Sequence, residues 1–172
     1  MQPGFNIAEA FNYYNRHINR QDRFMLLREH GFAITGSIHP VDWELFGSIL
    51  TGESGKPGYG SDLSHYEIKS ASEKGSFEYQ YHLNAGQKKL REDMEVDHLF
   101  ISYAKDYAEV TVRLVTGDKL LPIFQKWEPS LIMNYDAANP RQRFRRSIAY
   151  GTVVQLGTVI MQIKDHILVY PI

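Results

Sequence analysis

The sequence predicts an α/β (α+β) protein: a mixed β-sheet flanked by helices, with an additional β region at the C-terminus. Three observations lead there. Apolar residues recur at helical spacing through residues 6–30 and 41–51. Strict alternation marks Phe77-Glu-Tyr-Gln-Tyr-His82 as a strand. Helical and strand-like blocks then interleave along the chain instead of falling into separate halves. At 172 residues with 43% hydrophobic and 23% charged residues, the chain is long enough for one domain with a proper core.

Taken in order, residues 6–30 read as a helix capped by Asn6 and ended by Gly31. Its apolar stripe is Ile7, Ala10, Phe11, Tyr14, Ile18, Met25, Leu26 and Leu27. Residues 32–40 form a loop or short strand closed by Pro40. A second helix spans residues 41–51, buries Trp43, Phe46, Ile49 and Leu50, and stops at Gly52. Residues 52–60 make a glycine-rich linker, which lacks the spacing of a phosphate loop.

The stretch Gly58-Tyr-Gly-Ser-Asp-Leu-Ser-His-Tyr-Glu-Ile-Lys-Ser70 carries the chemistry. Glu67-Ile-Lys69 suits a pleated strand, so Glu67 and Lys69 share one face and Ile68 takes the other. A tight turn at Ser64-His65, or a loop over residues 63–66, sets Asp62 opposite Glu67, with Cβ atoms about 5 Å apart. Two carboxylates that close repel unless cations balance them. Lys69 supplies one charge, and hard oxygen ligands of this kind suit Mg²⁺.

Ser70–Gly75 reads as a turn. The strand over residues 77–82 puts Phe77, Tyr79 and Tyr81 on one face and Glu78, Gln80 and His82 on the other. Asn84 follows, then a helix over residues 87–94 whose start is basic at Lys88. Gln and Asn pair bidentately with adenine and His donates to guanine acceptors, so Gln80, His82 and Asn84 suit base edges. Residues 98–103 and 107–115 are strands joined by a turn at Lys105-Asp106. Residues 120–127 read as a helix with Pro122 early and Pro129 beyond its end. Four arginines fall within residues 141–146. Arg141, Arg143 and Arg145 in that cluster offer a phosphate clamp. Residues 147–163 and 166–170 read as two or three strands broken at Gly157 and Asp165.

Asp62…Glu67-X-Lys69 resembles the PD-(D/E)XK nuclease signature, with Ser61 where that signature has proline. The order of elements over residues 41–130 is similar to that of the small type II restriction endonucleases of the PvuII kind. The resemblance implies a restriction-endonuclease-like sheet, with residues 1–40 as a helical dimerisation region, 41–130 as the catalytic core and 131–172 as the basic segment and added strands. It implies that Asp62, Glu67 and the carbonyl of Ile68 hold Mg²⁺. Lys69 would then activate water, and Glu44 on the preceding helix is placed as an accessory acid. It further implies a site-specific endonuclease of double-stranded DNA acting as a homodimer. By the same resemblance a cognate DNA methyltransferase is expected as a functional partner, with a cytoplasmic location and a prokaryotic or phage origin. A homing, repair or phage nuclease of the same superfamily, or a non-catalytic DNA-binding domain, are the alternatives.

Other chemistries are excluded or lack support. The chain has no cysteine, hence no disulfide or thiolate metal site, and its histidines lack paired ligand spacing. It has no membrane-spanning run or signal-peptide pattern. The net charge of −1 means that any DNA footprint must be local.

Overall fold

The structure, a computed structural model, describes residues 4–58, 60–104 and 106–171. Among them lie six α-helices, one π-helical turn and seven strands in a mixed α+β arrangement. The strands are β1 (Tyr66–Ser72), β2 (Phe77–His82), β3 (Asp97–Tyr103), β4 (Val110–Val115), β5 (Arg143–Ile148), β6 (Thr158–Lys164) and β7 (Ile167–Tyr170). Five form one sheet in the order β1-β3-β4-β6-β7. Its β1–β3 pair is parallel and the others are antiparallel. The other two, β2 and β5, pair antiparallel in a sheet of their own. The strand over residues 77–82 is therefore not a member of the main sheet.

Alternation along the strands sorts the apolar residues into two cores. Tyr66, Ile68, Leu99, Ile101, Val110 and Val112 face the N-terminal helices. Ala71 and Phe100 face the β2–β5 sheet with helices α4 (Gly86–Glu95) and α5 (Gly117–Asp136). Helix α3 (Pro40–Thr51) packs on the first face, so closely that Gly47 lies against Ile68 of β1. Pro40 opens α3 and left-handed Gly52 (φ 75°) closes it.

The structure corrects five expectations. The N-terminal helix is broken into α1 (Ile7–Tyr13), a π-helical turn over Tyr14–Ile18 and α2 (Gln21–Glu29). Asn19 and Arg20 leave helical geometry. The break changes the helical phase, so α2 buries Phe24 and leaves Met25 and Leu26 more than half exposed. Asp62 lies on no named strand: only Leu63 bridges back, to Gly55. Ser70, Ala71 and Ser72 belong to β1, and the turn begins at Glu73. Helix α5 runs through Pro129 to Asp136. Gln125 and Pro129 are both exposed, so the carbonyl that loses its partner is on the solvent side. Tyr150–Leu156 is a helix, α6, despite its Thr-Val-Val core. It buries Val153 against the second core, and packing outweighs the β preference of those residues. Interruptions stand at Gly157 and Asp165 as expected, but Gly157 parts a helix from β6, and the turn at Asp165 takes in His166, so that β7 begins at Ile167. Of the turn placed at Lys105-Asp106, Asp106 stands in a turn and Lys105 lies outside the described residues. No helix among the described residues is long and apolar enough to cross a membrane.

Candidate active site

The turn at Ser64-His65 is closed by Leu63 N–H donating to the Tyr66 carbonyl at 2.9 Å. This sets Asp62 across from Glu67, and the two acids brace each other through the backbone. Asp62 N–H donates to Glu67 Oε2 and Ile68 N–H donates to Asp62 Oδ2, both at 2.9 Å. In an extended strand a residue's N–H and C=O point to the same edge. The Ile68 carbonyl therefore faces the Asp62 side of β1, away from β3.

Glu67 is fully buried. Its Oε1 accepts from two ammonium groups, Lys69 Nζ at 2.6 Å and Lys89 Nζ at 2.9 Å. Burial would raise the Glu67 carboxyl, but the two lysines outweigh it and hold it down at about 2. Asp62 behaves oppositely. Burial and the Glu67 charge push it up to about 7, against the opposing pull of Lys69. Lys69 Nζ also lies 4.8 Å above the Tyr79 ring, which favours a cation.

Lys89 and Asp93 were not visible from the sequence. Helix α4 turns Gly86, Leu90 and Asp93 inward, and Lys89 with them, while Lys88 is exposed and pairs with Glu92 at 3.8 Å. Lys89 Nζ reaches Asp93 Oδ1 at 3.2 Å and the Gly60 carbonyl at 3.1 Å. Asp93 is buried, accepts from Tyr81 O–H at 2.8 Å, and is pushed up to about 6 by burial and by Glu67. Behind it, His98 is lowered to about 4 by burial and is neutral. Its Nε2 lies 2.8 Å from the Asp93 carbonyl and its Nδ1 2.8 Å from the Tyr79 hydroxyl. The fitting tautomer is Nε2–H donating and Nδ1 accepting. An i, i+4 Lys/Asp pair on a helix was the one local signal for this group.

Asp62, Glu67, Ile68, Lys69 and Lys89 wall a cleft of about 470 Å³ together with Glu44, Glu78, Gln80 and His82, while Asp93, Tyr81 and His98 lie behind it. Glu44 thus stands at the site, and its charge adds to the upward push on Asp62. Asn84 and Lys88 are exposed and do not line this cleft. Cross-strand partners share a face, and Gln80 pairs with Arg145 while His82 pairs with Arg143. Arg143, Arg145 and Arg146 thus lie on a strand, β5, and Arg141 just before it. Arg141, Arg143 and Arg145 are exposed and line a second hollow of about 350 Å³ with Asn134, whose side chain bonds both backbone groups of Arg141.

No three His, Asp or Glu side chains gather as a metal cage among the described residues. Mg²⁺ does not need one, since one or two carboxylates with waters and phosphate suffice. The donor set fits that ion: among the described residues Asp62 Oδ1 accepts no hydrogen bond and Asp62 makes no direct ion pair, Lys69 being paired to Glu67. The sequence matches no protein-family model and no curated protein.

Proposed function

We propose that this chain is a Mg²⁺-dependent, site-specific endonuclease of double-stranded DNA, a type II restriction enzyme of the PD-(D/E)XK superfamily. One observation carries the reading. Asp62, Glu67 and Lys69 meet on the wall of a cleft whose other wall offers Gln80 and His82. Asp62, Glu67 and the Ile68 carbonyl would hold the Mg²⁺, with Glu44 in reach of the same cleft. Bound there, the ion would neutralise phosphate charge and lower the pKa of a coordinated water.

The chain's own groups do the remaining work. Lys69, held at the cleft wall by Glu67 and the Tyr79 ring, orients the attacking water and offsets the negative charge that develops on the scissile phosphate. The Asp62–Ile68 and Asp62–Glu67 hydrogen bonds fix the two acids before substrate arrives. Gln80 and His82 reach base edges, and Arg143 and Arg145 on the same two-stranded sheet, with Arg141 just before it, hold phosphates; a ribbon of two strands fits a major groove. The exposed Met25 and Leu26 on α2 supply the contact for a two-fold dimer, one active site per strand. A methyltransferase protecting the same site belongs to this reading.

The test is cleavage of a plasmid library by the purified protein with Mg²⁺ and with EDTA, beside Lys69→Ala. Discrete, metal-dependent fragments lost in the variant are expected. A smear would point to a repair or degradative nuclease, and absence of cutting on unmethylated DNA to a binding domain.

A further inference from the structure

The buried cluster holds more than the signature requires, and its excess bears on how many ions the site accepts. Building on the nuclease reading above, we infer that Lys89 is a fixed second cation of the carboxylate cluster, so that the site takes one divalent ion per chain and not two.

The first argument is acceptor capacity. A carboxylate offers about four lone-pair sites. On Glu67, Lys69 and Lys89 take two at Oε1 and the Asp62 N–H takes one at Oε2. One site remains on Glu67, beside the Asp62 carboxylate, of which Oδ2 already accepts from Ile68. That is room for one ion between the two acids. A second ion on the far side of Glu67 would have to displace Lys89.

The second argument is why Lys89 stays. Its ammonium has three donors. They are matched by three acceptors: Glu67 Oε1, Asp93 Oδ1 and the Gly60 carbonyl. Leaving would strand Asp93, which is fully buried, without its cation. Asp93 is itself tied down by Tyr81 and, through its carbonyl, by His98. Lys89 is thus a positioning residue, held from behind by groups that never reach the cleft.

Charge balance gives the third argument. Asp62, Glu67 and Asp93 are three carboxylates gathered about two lysines, Lys69 and Lys89, and Glu44 and Glu78 line the same cleft. Glu92 on the same helix is matched separately by Lys56 and Lys88. With its acids ionised the cluster is short of positive charge, which one divalent ion would supply. Without Lys89 that shortfall grows by a full charge.

The experiment is a Mn²⁺ titration of the full chain, free Mn²⁺ being read by its electron paramagnetic resonance signal. One Mn²⁺ per chain, lost in Asp62→Asn, is expected. Two per chain, both lost in Asp62→Asn, would overturn this inference and leave the nuclease reading standing. No bound Mn²⁺, or binding indifferent to Asp62→Asn, would overturn both. In Lys89→Met the stoichiometry should rise to two, and in Lys89→Arg return to one; a value of one in Lys89→Met overturns the role assigned to Lys89. If Lys89→Met does not fold by circular dichroism, the wild-type and Lys89→Arg stoichiometries decide.

Discussion

At the scale of single residues, the two acids of the site have opposite linkage to pH. Asp62 is an acid whose folded value, about 7, lies above its ordinary 3.8. Between pH values of about 4 and 7 the unfolded chain has released this proton while the folded chain keeps it, so stability falls as pH rises through that window. Asp93, at about 6, adds the same sign over a narrower range. Glu67, at about 2, does the reverse: its contribution is present above its ordinary 4.5 and is lost as pH falls toward 2. Asp62→Asn should therefore flatten the decline between pH 4 and 7 and raise Tm at pH 8 by about 2–4 °C, the equivalent of about 1 kcal/mol for a chain of this size. Thermal melts from pH 2 to 8 without divalent ions check this, and an unchanged slope in Asp62→Asn would sink it. Lys69→Ala should lower the cleavage rate by about 10²–10⁴-fold while leaving duplex binding in Ca²⁺ intact. Equal loss of binding and cleavage would instead make Lys69 a binding group. Asp62, Glu67 and Lys69 were legible because strand alternation and a two-residue turn are local facts. Lys89 and Asp93 were not, since Glu67 lies 22 residues from Lys89 and only the docking of α4 brings that lysine, with Asp93 behind it, to the acid.

At the scale of elements, the site depends on how α3 presses on β1. A Cβ at Gly47 would sit 2.6 Å from Ile68 Cδ1 and 2.9 Å from Cγ1, and Ile68 is buried. Gly47→Ala should destabilise the fold by about 1–3 kcal/mol through overpacking. Ile68→Val in the same chain removes the nearest atom and should recover part of the loss. A Gly47→Ala melt superimposable on wild type would show that the contact yields freely. The helices and strands that carry strong periodicity, such as Pro40–Thr51 and Phe77–His82, could be read from the sequence almost to their ends. Tyr150–Leu156 could not, because its helicity rests on the burial of Val153 and not on its own residues. Nor could the π-helical turn at Tyr14–Ile18, which resets the face of α2 without any proline or glycine to announce it.

At the scale of the molecule, a net charge of −1 coexists with an arginine strand beside an acidic cleft. Binding to DNA would then rest on a few local phosphate contacts. Replacing Arg141, Arg143 and Arg145 by Ala, one at a time, should each reduce the slope of log K against log salt by about 1. Fluorescence anisotropy of a labelled duplex between about 50 and 200 mM salt in Ca²⁺ checks it. An unchanged slope would place the DNA elsewhere. Met25→Glu with Leu26→Glu should yield a monomer by light scattering if α2 makes the dimer. The mixed sheet was foreseeable in class but not in its order. That β2 leaves the main sheet to pair with β5 rests on a contact spanning more than sixty residues, which local pattern does not encode.

The charged cluster behind the cleft also shapes what selection can do with this fold. Glu67 and Asp93 are fully buried, and the side chains of Lys69 and Lys89 are only 17% and 16% exposed. Well-packed apolar residues of similar volume in such places are often neutral or stabilising. A library of this chain screened for heat resistance alone should accordingly drift toward leucine and methionine at these four positions, gaining robustness as it loses its chemistry. Persistence of the four charges through such a screen would reveal that they are also needed for folding.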